Sequence, residues 1–212
     1  MSGFWQEIRY AFRTLAHNPA VSIVCVLTLA LGIGANTTMF SIVDSMFLRP
    51  LPIKNPQQFM VLALEQKTGS LSDNFSVPEL RDLQRGASKA FSDVIGEQLG
   101  LDGLDVGGQP ERIVTAYVTG NFFSGLGLQP ANGQLIRPGQ GEIPGADPVV
   151  VLSYRYWQRR FGGDPSVVGR KASLDGHPVT IIGIAPRGFR GLHSFVDTQA
   201  FVPLAMAGIE GY

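Results

Sequence analysis

Few side chains in this sequence have the type and spacing to do chemistry. The three histidines, His17, His177 and His193, fall on distant segments, and the one cysteine, Cys25, sits inside an apolar run. No pair of them has metal-ligand spacing, and a single thiol allows no disulfide within the chain. Ser153 stands in L-S-Y rather than in the G-x-S-x-G turn of a hydrolase nucleophile, so a helix cap explains it. Gly163 to Arg170 (G-D-P-S-V-V-G-R) has the outline of a phosphate loop. Its spacing is wrong and no Lys-Ser/Thr pair follows the second glycine, so it reads as a turn with caps. Asp102 and Asp105 could be paired acids, but a polar hairpin loop is the simpler reading. Trp157 could stack a sugar or a base, and packing against Val149 to Leu152 competes with that role. Arg155, Arg159 and Arg160 read as a solvated helix face able to pair with a partner's acids. These residues give no support to an enzyme, and neither a metal nor a cofactor is expected.

The elements that would position such residues divide sharply. Ala20 to Val43 carries no ionisable side chain except Cys25. As a helix rising about 1.5 Å per residue it is long enough to cross a hydrocarbon layer of roughly 30 Å. Asn36, Thr37, Thr38 and Ser41 gather at its far end, where hydroxyls can bond back to the helix. Gly32, Gly34, Ala35 and Asn36 offer a small-residue surface for helix packing. Before the run, Phe4, Trp5, Ile8, Phe12 and Leu15 form one stripe bordered by Arg9 and Arg13. This predicts an interfacial amphipathic helix over 4–16, with Trp5, Arg9, Phe12 and Arg13 as anchors and Asn18-Pro19 breaking it. A cleaved signal peptide is the rival reading, with Gly32-Ile33-Gly34 as its cleavage site. The basic flank places the N-terminus in the cytoplasm and residues 44–212 outside.

Balanced charge, with 17 basic and 17 acidic residues, leaves no footprint for nucleic acid. The 26 glycines and 14 prolines favour short strands and tight turns. Domain bounds follow as 1–19 interfacial, 20–43 transmembrane, 44–58 a proline-stiffened connector and 59–212 a mixed α+β domain. Phe59 to Leu64 predicts the first buried strand, and Ser76-Val77-Pro78-Glu79 a helix start ending at Gly86. Strands are expected at Phe91–Glu97, Leu104–Val106 and Arg112–Val118, the last two joined at Gly107-Gly108. Gly120 to Phe123 opens a helical turn, and Pro130 to Pro148 reads as a mobile surface loop. Val149–Leu152 is a strand, and Ser153 caps a helix over Tyr154–Phe161 whose Tyr154, Trp157 and Phe161 share a face. Gly162-Gly163 stops it, and Asp164-Pro165 starts a further turn. Lys171–Leu174 and Pro178–Ile184 flank an Asp175-Gly176 type I′ turn, and Gln199–Leu204 closes the chain.

Three runs carry a resemblance: V-T-A-Y-V-T-G-N-F-F-S-G-L-G-L (Val114–Leu128), V-V-V-L-S-Y-R-Y-W-Q-R-R-F-G-G-D-P-S-V-V-G-R (Val149–Arg170) and L-D-G-H-P-V-T-I-I-G-I-A-P-R-G-F (Leu174–Phe189). They resemble the MacB-like periplasmic core domain of ABC-transporter permeases, alongside the FtsX-like permeases. The span L-G-I-G-A-N-T-T-M-F-S-I-V and F-L-R-P-L-P-I resemble the opening of such permeases. The resemblance implies a bacterial inner-membrane subunit that couples ATP hydrolysis on a separate cytoplasmic ATPase to movement of the outer domain, for efflux or envelope transport. It also implies pairing with a second copy or with further permease helices, and a periplasmic adaptor as partner. Family permeases carry four membrane helices, so this chain corresponds to the first part of one. Its core domain is expected to be incomplete at the C-terminus, with an open sheet edge at Ala200–Leu204 or Met60–Leu64. A single-span anchored binding module without transport activity is the alternative.

Overall fold

The computed structural model describes residues 9, 13, 18–43, 53, 56–65, 69–86, 90–141, 143, 145–193 and 195–207. The chain divides into two compact units, Met1–Arg49 and Pro50–Tyr212.

In the first unit a single helix, α1, runs from Pro19 to Val43. Pro19 occupies its first position, where a missing N–H costs nothing, and the Asn18 carbonyl accepts the Ser22 N–H at 3.1 Å. Some hydroxyls inside it bond back to the helix: Thr28 donates to the Val24 carbonyl at 2.7 Å and Thr38 to that of Gly34 at 2.8 Å. Large apolar side chains such as Leu31 and Phe40 stand 73 and 67 % exposed, on every side of the helix. Of the expected interfacial helix, Arg9 and Arg13 are described and are helical; Trp5 and Phe12 lie outside the described residues.

The second unit is built on one mixed sheet. Its elements are β1 (Leu64–Glu65), β2 (Leu71–Ser72), α2 (Val77–Gly86), β3 (Glu97–Asp105), β4 (Pro110–Val118), α3 (Phe122–Gly125), β5 (Asn132–Gly133), β6 (Val149–Leu152), α4 (Tyr154–Phe161), β7 (Lys171–Leu174), β8 (His177–Ile184) and β9 (Ala200–Pro203). Seven strands form that sheet in the order β5-β8-β6-β9-β4-β3-β7, with β7 also pairing with β8, while β1 and β2 form a separate antiparallel pair. Pairing therefore closes into a ring of six strands with β5 outside it. The hairpins β3–β4 and β7–β8 are antiparallel, as are the non-local pairs β3–β7, β5–β8 and β6–β9, while β4–β9 and β6–β8 are parallel. The β7–β8 turn places Asp175 and Gly176 at φ 44° and 86°, the conformation that a type I′ turn needs.

Strand alternation gives the unit two cores. Ile113 and Tyr117 of β4, Val150 and Leu152 of β6, and Ala200 and Val202 of β9 join Trp157, Leu174 and Ile181 on one side. The intervening Ala116, Val118, Val151 and Phe201 meet Phe122, Phe123, Leu126 and Phe189 on the other. There Phe201 stacks on Phe189 at 5.5 Å and meets Phe123 edge-on at 5.4 Å.

Four expectations need correction. Phe59–Leu64 is not a buried strand: only Leu64 pairs, with Ser72, and Phe59, Met60 and Val61 are 39, 74 and 87 % exposed. Apolar composition cannot supply the neighbouring strand that burial requires. Of the strand expected at Phe91–Glu97 only Glu97 is in one: residues 91–96 form none, and the nine-residue β3 runs from Glu97 to Asp105, taking in the start of the strand expected at Leu104–Val106. Within it a Cβ on Gly100 would sit 2.6 Å from the Tyr117 ring, so glycine there makes room for a neighbour. Ala200–Leu204 holds no open edge, because β9 lies between β4 and β6. The stretch Pro130–Pro148 is not wholly surface: it contains β5, and Leu135 and Ile136 are buried.

Candidate functional site

In α1, Gly32, Gly34, Ala35 and Asn36 are all exposed, and a Cβ at Gly32 or Gly34 would meet nothing within 4 Å. Gly32, Ala35 and Asn36 share one face of the helix, where a second helix could approach closely, and Gly34 lies on the opposite face. Cys25 carries a free thiol on the same helix.

In the folded unit the richest polar cluster forms around α4. Ser153 accepts the Tyr156 N–H at 3.3 Å and starts the helix; Gly162, at φ 61°, ends it. Trp157 is buried and donates from Nε1 to the Asp164 carbonyl at 2.8 Å, which makes it a core residue and not a stacking platform. Tyr156 is also buried and donates to Glu111 Oε2 at 3.0 Å. Burial and then the Glu111 carboxylate push its phenol up to about 12. The arginine face is not simply solvated. Arg159 and Arg160 both reach Glu111 at 3.5 Å, Arg155 reaches Asp197 at 3.5 Å, and the Arg159 guanidinium lies 5.5 Å from the Tyr156 ring centre. Just beyond the helix, Asp164 accepts the Ser166 N–H and hydroxyl at 2.9 and 2.8 Å and binds Arg170 at 2.7 Å. The Ser166 bonds, with Arg170 second, hold its carboxyl below the usual range. Gly163 to Arg170 is therefore a capped 3₁₀ turn, as its spacing implied. Beside it opens a groove of about 460 Å³ between the Val106–Gln109 loop, Arg160, Phe161, Arg170 and Lys171.

Two acids on β3 form a separate feature. Asp102 is completely buried, facing Thr115, Tyr117 and Asp175, and burial raises its carboxyl above the ordinary range. It is thus neither in a loop nor paired with Asp105 as an acid couple. The Glu97 side chain is 4 % exposed; its Oε2 lies 3.9 Å from His193 Nε2 and accepts the Leu192 N–H at 3.4 Å. Burial raises its carboxyl too, against the opposing pull of His193. The sequence reading missed Glu97, Glu111, Gln109 and Tyr156. Strand period would have found two features here, since Asp102 shares its parity with buried Leu104 and Glu97 with Leu99. Among the described residues no three His, Cys, Asp or Glu side chains converge as a metal site.

The sequence model of the MacB-like periplasmic core domain family matches residues 22–211. The chain belongs to that family. The match begins inside α1 and takes in every strand of the MacB-like sheet. Among solved structures, the periplasmic region of MacB from Actinobacillus actinomycetemcomitans superimposes with a TM-score of 0.52 at 15% identity, over 66% of this chain and 60% of that one. The extracellular domain of the noncanonic ABC-type transporter YknZ from Gram-positive bacteria gives 0.51 at 16% identity, over 64% of this chain and 65% of that one. The chain therefore spans under two thirds of either neighbour, and the likeness establishes the fold. No curated protein matches the chain.

Proposed function

We propose that this chain is the N-terminal part of a MacB/FtsX-like ABC-transporter permease subunit of the bacterial inner membrane. In this reading α1 crosses the bilayer, the N-terminus is cytoplasmic, and residues 44–212 form a domain on the outer side that moves when a separate cytoplasmic ATPase hydrolyses ATP. The chain itself catalyses nothing and binds no cofactor. Efflux or envelope transport is the process served, and an adaptor outside the membrane is the corresponding partner. Gly32, Gly34, Ala35 and Asn36 would face a second copy or further permease helices.

One observation carries the reading: the family match starts at residue 22, within the apolar helix, and continues to 211, so helix and domain belong to one family unit. The 23 residues Pro19–Ser41 span about 35 Å as a helix, enough for a hydrocarbon core of roughly 30 Å. Fully apolar exposure of α1 in water would be costly, whereas lipid removes that cost.

Cysteine labelling tests it. Cys25 of the native chain in intact cells should resist a bulky, membrane-impermeant maleimide, while a Ser92→Cys/Cys25→Ala chain should react from outside. Labelling of Cys25, or protection of position 92, would refute the topology. An ATPase that co-purifies with the membrane-bound chain, and whose turnover changes when the chain is removed, is the expected partner; a chain that stays anchored without one would be a binding module.

A further inference from the structure

We infer that the groove beside α4 binds a phosphate monoester. Cationic side chains enter it from three elements: Arg160 from the last turn of α4, Arg170 from the turn after it, and Lys171 from the start of β7. Among the described residues no carboxylate lines it. Glu111 and Asp164 hold the arginines from outside the groove. Arg160 uses Nε on Glu111 at 3.5 Å and Nη2 on Gln109 Oε1 at 2.8 Å. Arg170 uses Nε on the Ser166 carbonyl at 3.1 Å, and Nη2 on Asp164 at 2.7 Å and Ser166 Oγ at 2.6 Å. Nη1 of each guanidinium is left without a hydrogen bond among the described residues, in a side chain already fixed in place. Lys171 is exposed and makes no ion pair among them; the strand alternation that buries Ala172 and Leu174 turns it outward.

Charge balance points to the ligand. Arg160, Arg170 and Lys171 line the groove; Arg159 lies outside its lining but shares Glu111 with Arg160, so the four cations of the surrounding cluster outnumber Glu111 and Asp164 by two. A phosphate monoester carries about 1.5 to 2 negative charges at pH 7, which matches that excess; a diester or a carboxylate carries about one. Arginine forks and a lysine point charge together suit the three free phosphate oxygens. Val106 and Phe161 give the groove an apolar side for the rest of the ester. A soluble phosphate ester and a lipid headgroup share this chemistry.

Calorimetric titration of the full chain in detergent micelles separates them, with inorganic phosphate, glycerol 3-phosphate, short-chain phosphatidic acid and short-chain phosphatidylglycerol as probes. The monoesters should bind saturably and the diester phosphatidylglycerol at least about tenfold more weakly. Lys171→Met should weaken monoester binding about tenfold, the size expected for one charge-assisted contact. Arg155→Gln removes a charge from the same helix outside the groove and should change nothing. Equal affinity for glycerol 3-phosphate and phosphatidic acid identifies a soluble ester; a clear preference for phosphatidic acid identifies a lipid headgroup. Failure of every monoester to saturate, equal binding of the diester, or equal losses in Lys171→Met and Arg155→Gln would each overturn the assignment. Unchanged melting of Lys171→Met verifies that its fold is intact.

Discussion

Single residues in this domain are under tension where charge meets the core. Glu97 and Asp102 have carboxyls raised by burial, so folding disfavours their ionised forms. For a group raised in the folded state, the unfolded chain ionises first. Stability therefore falls as pH climbs from about the ordinary value of 4.5 for glutamate through the raised one. Glu97→Gln should remove that fall: its melting temperature should match the parent near pH 4 and exceed it by a few degrees near pH 7. A gap that does not widen with pH would mean that Glu97 is not held above its normal range. Glu111 shows the opposite economy, since one half-exposed carboxylate organises Tyr156, Arg159 and Arg160 together. Sequence spacing placed the arginines on one helix face, but Glu111 lies on a strand more than forty positions away, so the cluster could not be read locally.

At the scale of elements, caps and alternation explain most of what forms. The Ser76–Glu79 capping box closes as its sequence implied, with Glu79 Oε2 accepting the Ser76 N–H at 2.8 Å. Ser153 does the same work for α4, so Ser153→Ala should cost about 1 kcal/mol in denaturant unfolding. β9 is the element whose place the sequence concealed. It is short and apolar like Phe59–Leu64, yet it sits between β4 and β6 with Phe201 fully buried in an aromatic cluster. Phe201→Ala should thus cost about 3–5 kcal/mol, whereas Val61→Asp, at a site 87 % exposed, should stay within about 0.5 kcal/mol. Equal effects would contradict the different placement of two runs with similar composition.

For the whole molecule, the decisive contrast is between a helix exposed on all sides and a unit with two buried cores. Leu31 lies near the middle of α1 and is 73 % exposed. A charge at the centre of a membrane helix costs about 2.5–3.5 kcal/mol of insertion. Leu31→Arg should therefore shift much of the protein out of the alkali-resistant membrane fraction, while Lys171→Met should leave fractionation unchanged. If the arginine variant sediments like the parent, lipid is not what covers α1.

The sequence by itself determined every feature that depends on neighbours within a few residues: the bounds of α1, the capped starts of α2 and α4, the αL stop at Gly162 and the Asp175-Gly176 turn. These follow from local sterics, hydrogen bonding and an unbroken apolar run. Tertiary structure alone decided which apolar strand lies at the centre of the sheet, that Asp102 is buried, and that Arg160, Arg170 and Lys171 open onto one groove. Each of those depends on pairing between segments far apart in the chain, and no local periodicity encodes which partners a strand will meet.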